Sequence, residues 1–275
     1  MKMPFWDKVQ TVKSRYLYLL LIIAILIPLV VPIQQKITPT PLSIAFSDTI
    51  GTLKPGDVVV ISIDQTPATL NELNGGTVAA ITQLKSKGAK IIFWALYFPE
   101  GAPIYDTRLA PLMKDEKYGE DYVNFGYIAG RESAAEVLGK NIRSLLKTDA
   151  YGKSIDALPI MTNVNGAKDV ALLVTVDDGS STIMWVQQWV VPYKTRLLSI
   201  LTAGNRPLIE AYIRSNQVAG VLVGTPGVAE YETLLNRPGI GVQQMQSITT
   251  TSALILILIA ISTFGFLGGR VNKHA

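Results

Sequence analysis

Residues 57–96 read DVVVISIDQTPATLNELNGGTVAAITQLKSKGAKIIFWAL. The stretch opens on the strand-like run DVVVISI (57–63) and closes on a second apolar run, AKIIFWAL (89–96). Between them Val78, Ile81 and Leu84 recur at helical spacing over 69–87, and Gly88 ends the helix. Strands apolar at every position, joined by an amphipathic helix, belong to a parallel sheet covered on both faces.

The alternation continues outward. YVNFGYI (122–128), VALLVTV (170–176) and LLSILTA (197–203) predict strands, and VAGVLVG (218–224) a strand or a small-residue helix. Helices are expected at 105–114, 132–147, 181–190, 208–216 and 228–235. The expected fold is an α/β domain over 57–240 with a mainly parallel, Rossmann-like doubly wound sheet. Residues 34–56, rich in Pro, Thr and Ser, read as a linker with a short helical possibility at 42–50, and 241–248 as a second linker.

Two apolar segments flank this domain. YLYLLLIIAILIPLVVPI (16–33) has 18 uncharged residues and spans ~27 Å at helical rise, close to a bilayer core of ~30 Å. TTTSALILILIAISTFGFL, within an expected span of 249–268, is similar. The first exceeds a signal-peptide core, and no small-x-small cleavage site follows it, so a retained anchor is expected. Lys2, Lys8, Lys13 and Arg15 precede it, and Arg270 and Lys273 follow the second. By the positive-inside rule, the tails 1–15 and 269–275 are cytoplasmic and residues 42–247 extracytoplasmic, a two-pass cell-membrane topology.

The tails account for the basic balance. They hold six of the 25 Lys and Arg but one of the 21 Asp and Glu, leaving 19 basic against 20 acidic residues in the middle. The basic excess is therefore directed at anionic membrane lipid, and no nucleic-acid footprint remains. Cysteine is absent, and the single histidine, His274, lies beyond the second anchor. Thiol catalysis, histidine-based triads and His- or Cys-ligated metals are thereby excluded from the domain. Its glycine-rich loops match neither phosphate-loop nor dinucleotide fingerprints, so neither metal nor cofactor is expected.

Ligands of open parallel sheets gather at the carboxyl ends of the strands. Asp64, Arg131, Asp177, Asp178 and Asn205 fall there and, with Glu230, form the candidate ligand-binding set. The competing structural reading has Asp64 capping the segment after it and Asp177-Asp178-Gly179 forming a turn. Trp185 and Trp189, spaced i, i+4, share one helix face as core or as a stacking surface. In GVLVGTPGVAEYETLLNRPG (220–239), Thr225 suits an N-cap, Pro226 the first helical position, and Glu230 and Glu232 the early turns. Gly265 and Gly269 form a GxxxG helix-association pattern.

GDVVVISID with LKSKGAKIIFWALYF resembles the opening βαβ of CHASE2-type extracytoplasmic sensor domains. From about residue 122 onward the chain resembles a group of prokaryotic membrane-anchored proteins with a G-x-AEYE-x-L signature before a C-terminal anchor. The matching residues are Gly227, Ala229, Glu230, Tyr231, Glu232 and Leu235, with two residues rather than one between Glu232 and Leu235. That resemblance implies architecture and carries no activity. The functional expectation is a non-enzymatic integral membrane subunit binding a partner protein or ligand within a larger assembly, with copies of itself or other membrane subunits. A CHASE2-like ligand sensor and a carboxylate-dependent hydrolase using Asp64, Asp178 or Glu230 are the alternatives.

Overall fold

The structure, a computed structural model, describes residues 12–30 and 36–271. Two compact units result: residues 37–241 form one, and residues 1–36 with 242–275 the other. The N-terminal half of the chain runs α1 (Ser14–Val30), α2 (Pro41–Gly51), β1 (Val58–Asp64), α3 (Leu70–Ser86), β2 (Lys90–Ala95), α4 (Gly101–Ile104), β3 (Tyr122–Tyr127) and α5 (Arg131–Lys140). The rest runs β4 (Leu172–Asp177), α6 (Ser181–Trp185), β5 (Leu197–Leu201), α7 (Arg206–Arg214), β6 (Gly220–Val223), α8 (Gly224–Leu234) and α9 (Ile240–Val271).

In the central unit six parallel strands lie in the order β3-β2-β1-β4-β5-β6. This is a doubly wound sheet, with the order reversing between β1 and β4. β1 is apolar at nearly every position because both of its faces are covered. Val59, Ile61 and Ile63 face one core with Ile91, Phe93, Val174 and Val176, beneath Phe46, Leu73 and Tyr231. Val60 faces the other core with Ile92, Trp94 and Leu173, beneath Leu138, Trp185 and Ile209. Trp94 stacks on Trp185 at 6.0 Å between ring centroids and meets Trp189 edge-on at 5.7 Å, and all three are buried. The Trp185–Trp189 pair is therefore core. Each such ring adds apolar burial worth ~1.5–3 kcal/mol.

Several boundaries differ from the sequence expectation. The stretch read as a tether contains α2, which belongs to the folded unit: Phe46 and Ile50 are fully buried, and the helix lies against β6. The approach is so close that a Cβ on Gly220 would sit 2.4 Å from the Phe46 backbone nitrogen, which is why glycine opens β6. The segment expected to be one helix over 132–147 stops at Lys140. Asn141 then accepts from the Arg143 N–H (2.9 Å) and starts a separate turn, Ile142–Leu145. α8 starts at Gly224 behind Val223, with no side-chain cap, so Thr225 is inside the helix rather than at its cap. α4 and α6 continue into π-turns at Tyr105–Leu109 and Val186–Val190.

In the other unit, α9 runs 32 residues, so the expected linker at 241–248 is helical. Its segment Ile240–Phe264 is long and apolar enough to cross a membrane. α1 is apolar and shorter as described, with residues 31–33 of the expected span outside the described residues, as are most of the N-terminal tail and residues 272–275. The Ser247 hydroxyl donates to the Ile25 carbonyl at 3.1 Å, and Ala24, Pro28, Gln246 and Ser247 are buried in this unit. Gly265 and Gly269 lie on α9, and their surroundings fall outside what is described.

Candidate functional site

The strand order brings three of the expected carboxylates together at the switch point. Asp64 ends β1 in register with Asp177 on β4, and the Asp178 N–H donates to the Asp64 carbonyl at 3.0 Å. Every one of the three already has internal partners.

Asp64 is fully buried and accepts from the Leu96 and Tyr97 N–H groups (both 2.9 Å), the Ser62 hydroxyl (2.6 Å), the Thr175 hydroxyl (3.3 Å) and the Trp185 indole N–H (3.2 Å). The sequence reading has it capping its own following segment; instead it clamps the end of β2 to β1 and reaches the helix after β4. Burial pushes its carboxyl above the ordinary carboxylate range, while the bonds from Ser62, Tyr97, Leu96 and Trp185 pull it back. Asp177 accepts from the N–H groups of Gly179 (2.8 Å), Ser181 (3.1 Å) and Thr182 (3.0 Å) and from the Thr182 hydroxyl (2.6 Å). It thus closes the expected turn and caps α6 as well. Asp178 takes the Thr66 N–H (3.2 Å) and the Thr66 hydroxyl.

The remaining candidates do not join them. Arg131 is exposed and holds its guanidinium 4.5 Å above the Tyr97 ring, at a positive φ of 44°. Asn205 precedes α7 without a side-chain capping bond. A carboxylate that the sequence reading overlooked, Glu72, accepts the Ala203 N–H at 2.8 Å beyond β5. Asp64, Asp177 and Asp178 are thus held by three separate sets of donors. Among the described residues no three His, Cys, Asp or Glu side chains converge.

The AEYE segment of α8 makes polar contacts with both ends of the folded unit. Glu230 Oε2 accepts from the Thr40 N–H (2.9 Å), the Thr40 hydroxyl (2.7 Å) and the Ser43 hydroxyl (2.7 Å), so it fastens the start of α2. Glu232 accepts from the N–H groups of Gly239 (2.9 Å) and Gly241 (3.1 Å), fastening the chain where α9 begins. Residues two apart on a helix point in different directions, so one short motif serves two separate segments. Between them Tyr231 is buried, packs edge-on against Phe46 (5.0 Å between centroids) and donates to Gln83 Oε1. Burial raises the Tyr231 phenol above its usual value, keeping it a neutral donor. Glu232, Thr40 and Ser43 were not in the candidate set; the spacing of Glu230 and Glu232 about a buried Tyr was the signal available.

No family model, curated protein or solved structure matches this chain. Geometry alone therefore carries the functional argument.

Proposed function

We propose that this chain is a non-enzymatic integral membrane subunit whose α/β unit binds a partner protein within a larger assembly. The carrying observation is what the carboxylates do. At the strand ends, where an enzyme of this topology places its chemistry, Asp64 and Asp177 are buried with both carboxylate oxygens taken by internal donors, and Asp178 has one oxygen held by Thr66. The buried carboxylates of α8 hold the points where the chain enters and leaves the folded unit. Such a unit is tied at both of its ends by its own carboxylates.

Both apolar helices anchor the chain in this reading, in two passes with both termini cytoplasmic and the α/β unit outside. The length of α9, the apolar character of α1, the Ser247–Ile25 hydrogen bond and the flanking Lys and Arg residues support it. Kinship with the AEYE-bearing membrane-anchored proteins belongs to the same proposal. Labelling a single cysteine at Asp106→Cys, an exposed position in this cysteine-free chain, tests the topology. Reaction in intact cells is expected, and reaction only after permeabilisation overturns it.

A second reading, a CHASE2-like ligand sensor, is favoured by one residue. Gln65, immediately after β1, is fully buried and neither amide atom has a hydrogen-bond partner. More than nine in ten buried polar groups are paired, so an unmet donor and acceptor at the switch point suits a small polar ligand.

A further inference from the structure

A cavity of about 370 Å³ lies between one face of α3 and the segment that links α8 to α9. Its volume is in the range of small-ligand sites, ~300–1,000 Å³. Val78, Leu235 and Ile240 give it apolar walls. Thr82, also in the wall, turns its hydroxyl back to the Val78 carbonyl (2.8 Å) and so adds no free donor. Two polar features remain. The Asn74 side-chain oxygen Oδ1 is buried without a hydrogen-bond partner. Arg237 lines the cavity, is exposed, and forms no ion pair among the described residues. The acidic wall residue Glu232 is 3% exposed and turns its carboxylate to the Gly239 and Gly241 amides.

We propose that this cavity binds a single anionic glycerophospholipid, with the acyl chain against Val78, Leu235 and Ile240 and the phosphate on Arg237. The occupant follows from where the cavity sits in the chain. Ile240, part of its wall and about half exposed, is the first residue of the segment long and apolar enough to cross a membrane. The cavity and the candidate span share this residue, and on the reading that the span crosses a membrane a lipid is the occupant we assign. The unmatched acceptor on Asn74 requires a donor, which a glycerol headgroup supplies and a choline headgroup lacks. Arg237 is the one cation among the described wall residues, and the Glu232 carboxylate is already turned to the Gly239 and Gly241 amides, which favours an anionic amphiphile over a neutral one. The inference rests on the reading that α9 crosses the membrane.

The test uses the full chain in phospholipid vesicles carrying a trace lipid with a photoactivatable acyl chain, the headgroup being phosphatidylglycerol in one arm and phosphatidylcholine in the other. Adducts are mapped by peptide mass spectrometry. Adducts on 74–82 and 235–240 are expected in the phosphatidylglycerol arm, reduced about fivefold with phosphatidylcholine, as one interfacial cation implies. Val78→Trp, which fills the cavity, should remove these adducts and leave those on 249–267. Arg237→Gln, which leaves the cavity shape intact, should bring the two arms to within twofold. Adducts confined to 249–267, or equal adducts in both arms for the parent chain, overturn the lipid site while the membrane reading stands. No adducts on either segment overturn both. Free glycerol phosphate abolishing the adducts at millimolar concentration would assign the site to a soluble phosphate and likewise overturn the proposal.

Discussion

Replacing Glu230 separates a mounting residue from a catalytic one. Its Oε2 alone receives three donors: the Thr40 N–H and the hydroxyls of Thr40 and Ser43. Hydrogen bonds to a charged acceptor contribute ~1.5–3 kcal/mol each, but Thr40 is exposed and its two donors recover water when the carboxylate is lost. The buried Ser43 hydroxyl does not recover water so easily. Glu230→Ala should therefore cost ~2–4 kcal/mol, about one full charge-assisted bond plus the space left behind. Glu230→Gln keeps an acceptor at the same place and loses only the charge, so ~1–2 kcal/mol is expected. At ~2–4 °C per kcal/mol for a unit of this size, the alanine variant should lower Tm by roughly 5–15 °C and the glutamine variant by about half as much. Thermal unfolding of the full chain in mild detergent, followed by the fluorescence of the buried Trp94, Trp185 and Trp189 cluster, reads this directly. Limited proteolysis at Lys36 should speed up in parallel as α2 loosens. A Tm within 1 °C of the parent for Glu230→Ala would refute the mounting role.

Three further outcomes are expected. The raised pKa of Asp64 means that its contribution to stability is fully present below the ordinary value of 3.8 and is lost as pH rises through the folded-state value. Asp64→Asn should flatten the decline of Tm above that pH, and an unchanged profile would contradict the burial argument. Gly220→Ala should lower Tm by at least several degrees, because overpacking costs ~1–3 kcal/mol and the added carbon meets backbone at 2.4 Å; a neutral result would mean that α2 sits further from β6. Gln65→Leu removes two unmet buried atoms and should raise Tm by a few degrees, each unmet group costing ~1–3 kcal/mol. A fall in Tm would mean that the amide is satisfied in the free protein.

The central βαβ was legible because local and global signals agree there: β1 needs apolar residues on both faces, and α3 carries its own period and stop. α2 was harder. Its Pro-, Thr- and Ser-rich surroundings resemble a tether, and its burial comes from contact with β6, some 170 residues away in sequence. Asp177 could be recognised as a turn residue because its donors lie within five positions. Asp64 could not be recognised as a clamp, since its donors other than Ser62 are 32, 33, 111 and 121 residues away. The start of α8 was not legible because Thr225 and Pro226 fit capping rules, whereas the helix begins at Gly224 behind Val223, which makes no side-chain cap. Glu230 and Glu232 were noticed for their position in a helix, whereas their importance lies in which chain segments they hold.

The claim that this chain works as a subunit is tested most directly by the mass of the native particle, extracted in mild detergent and weighed by native mass spectrometry. The account predicts a particle heavier than the 29.9 kDa chain, containing further copies or other membrane proteins, which Gly265→Ile with Gly269→Ile reduces in size without blocking membrane insertion. A homogeneous single chain at every gentle extraction condition, unchanged by the double substitution, would contradict it.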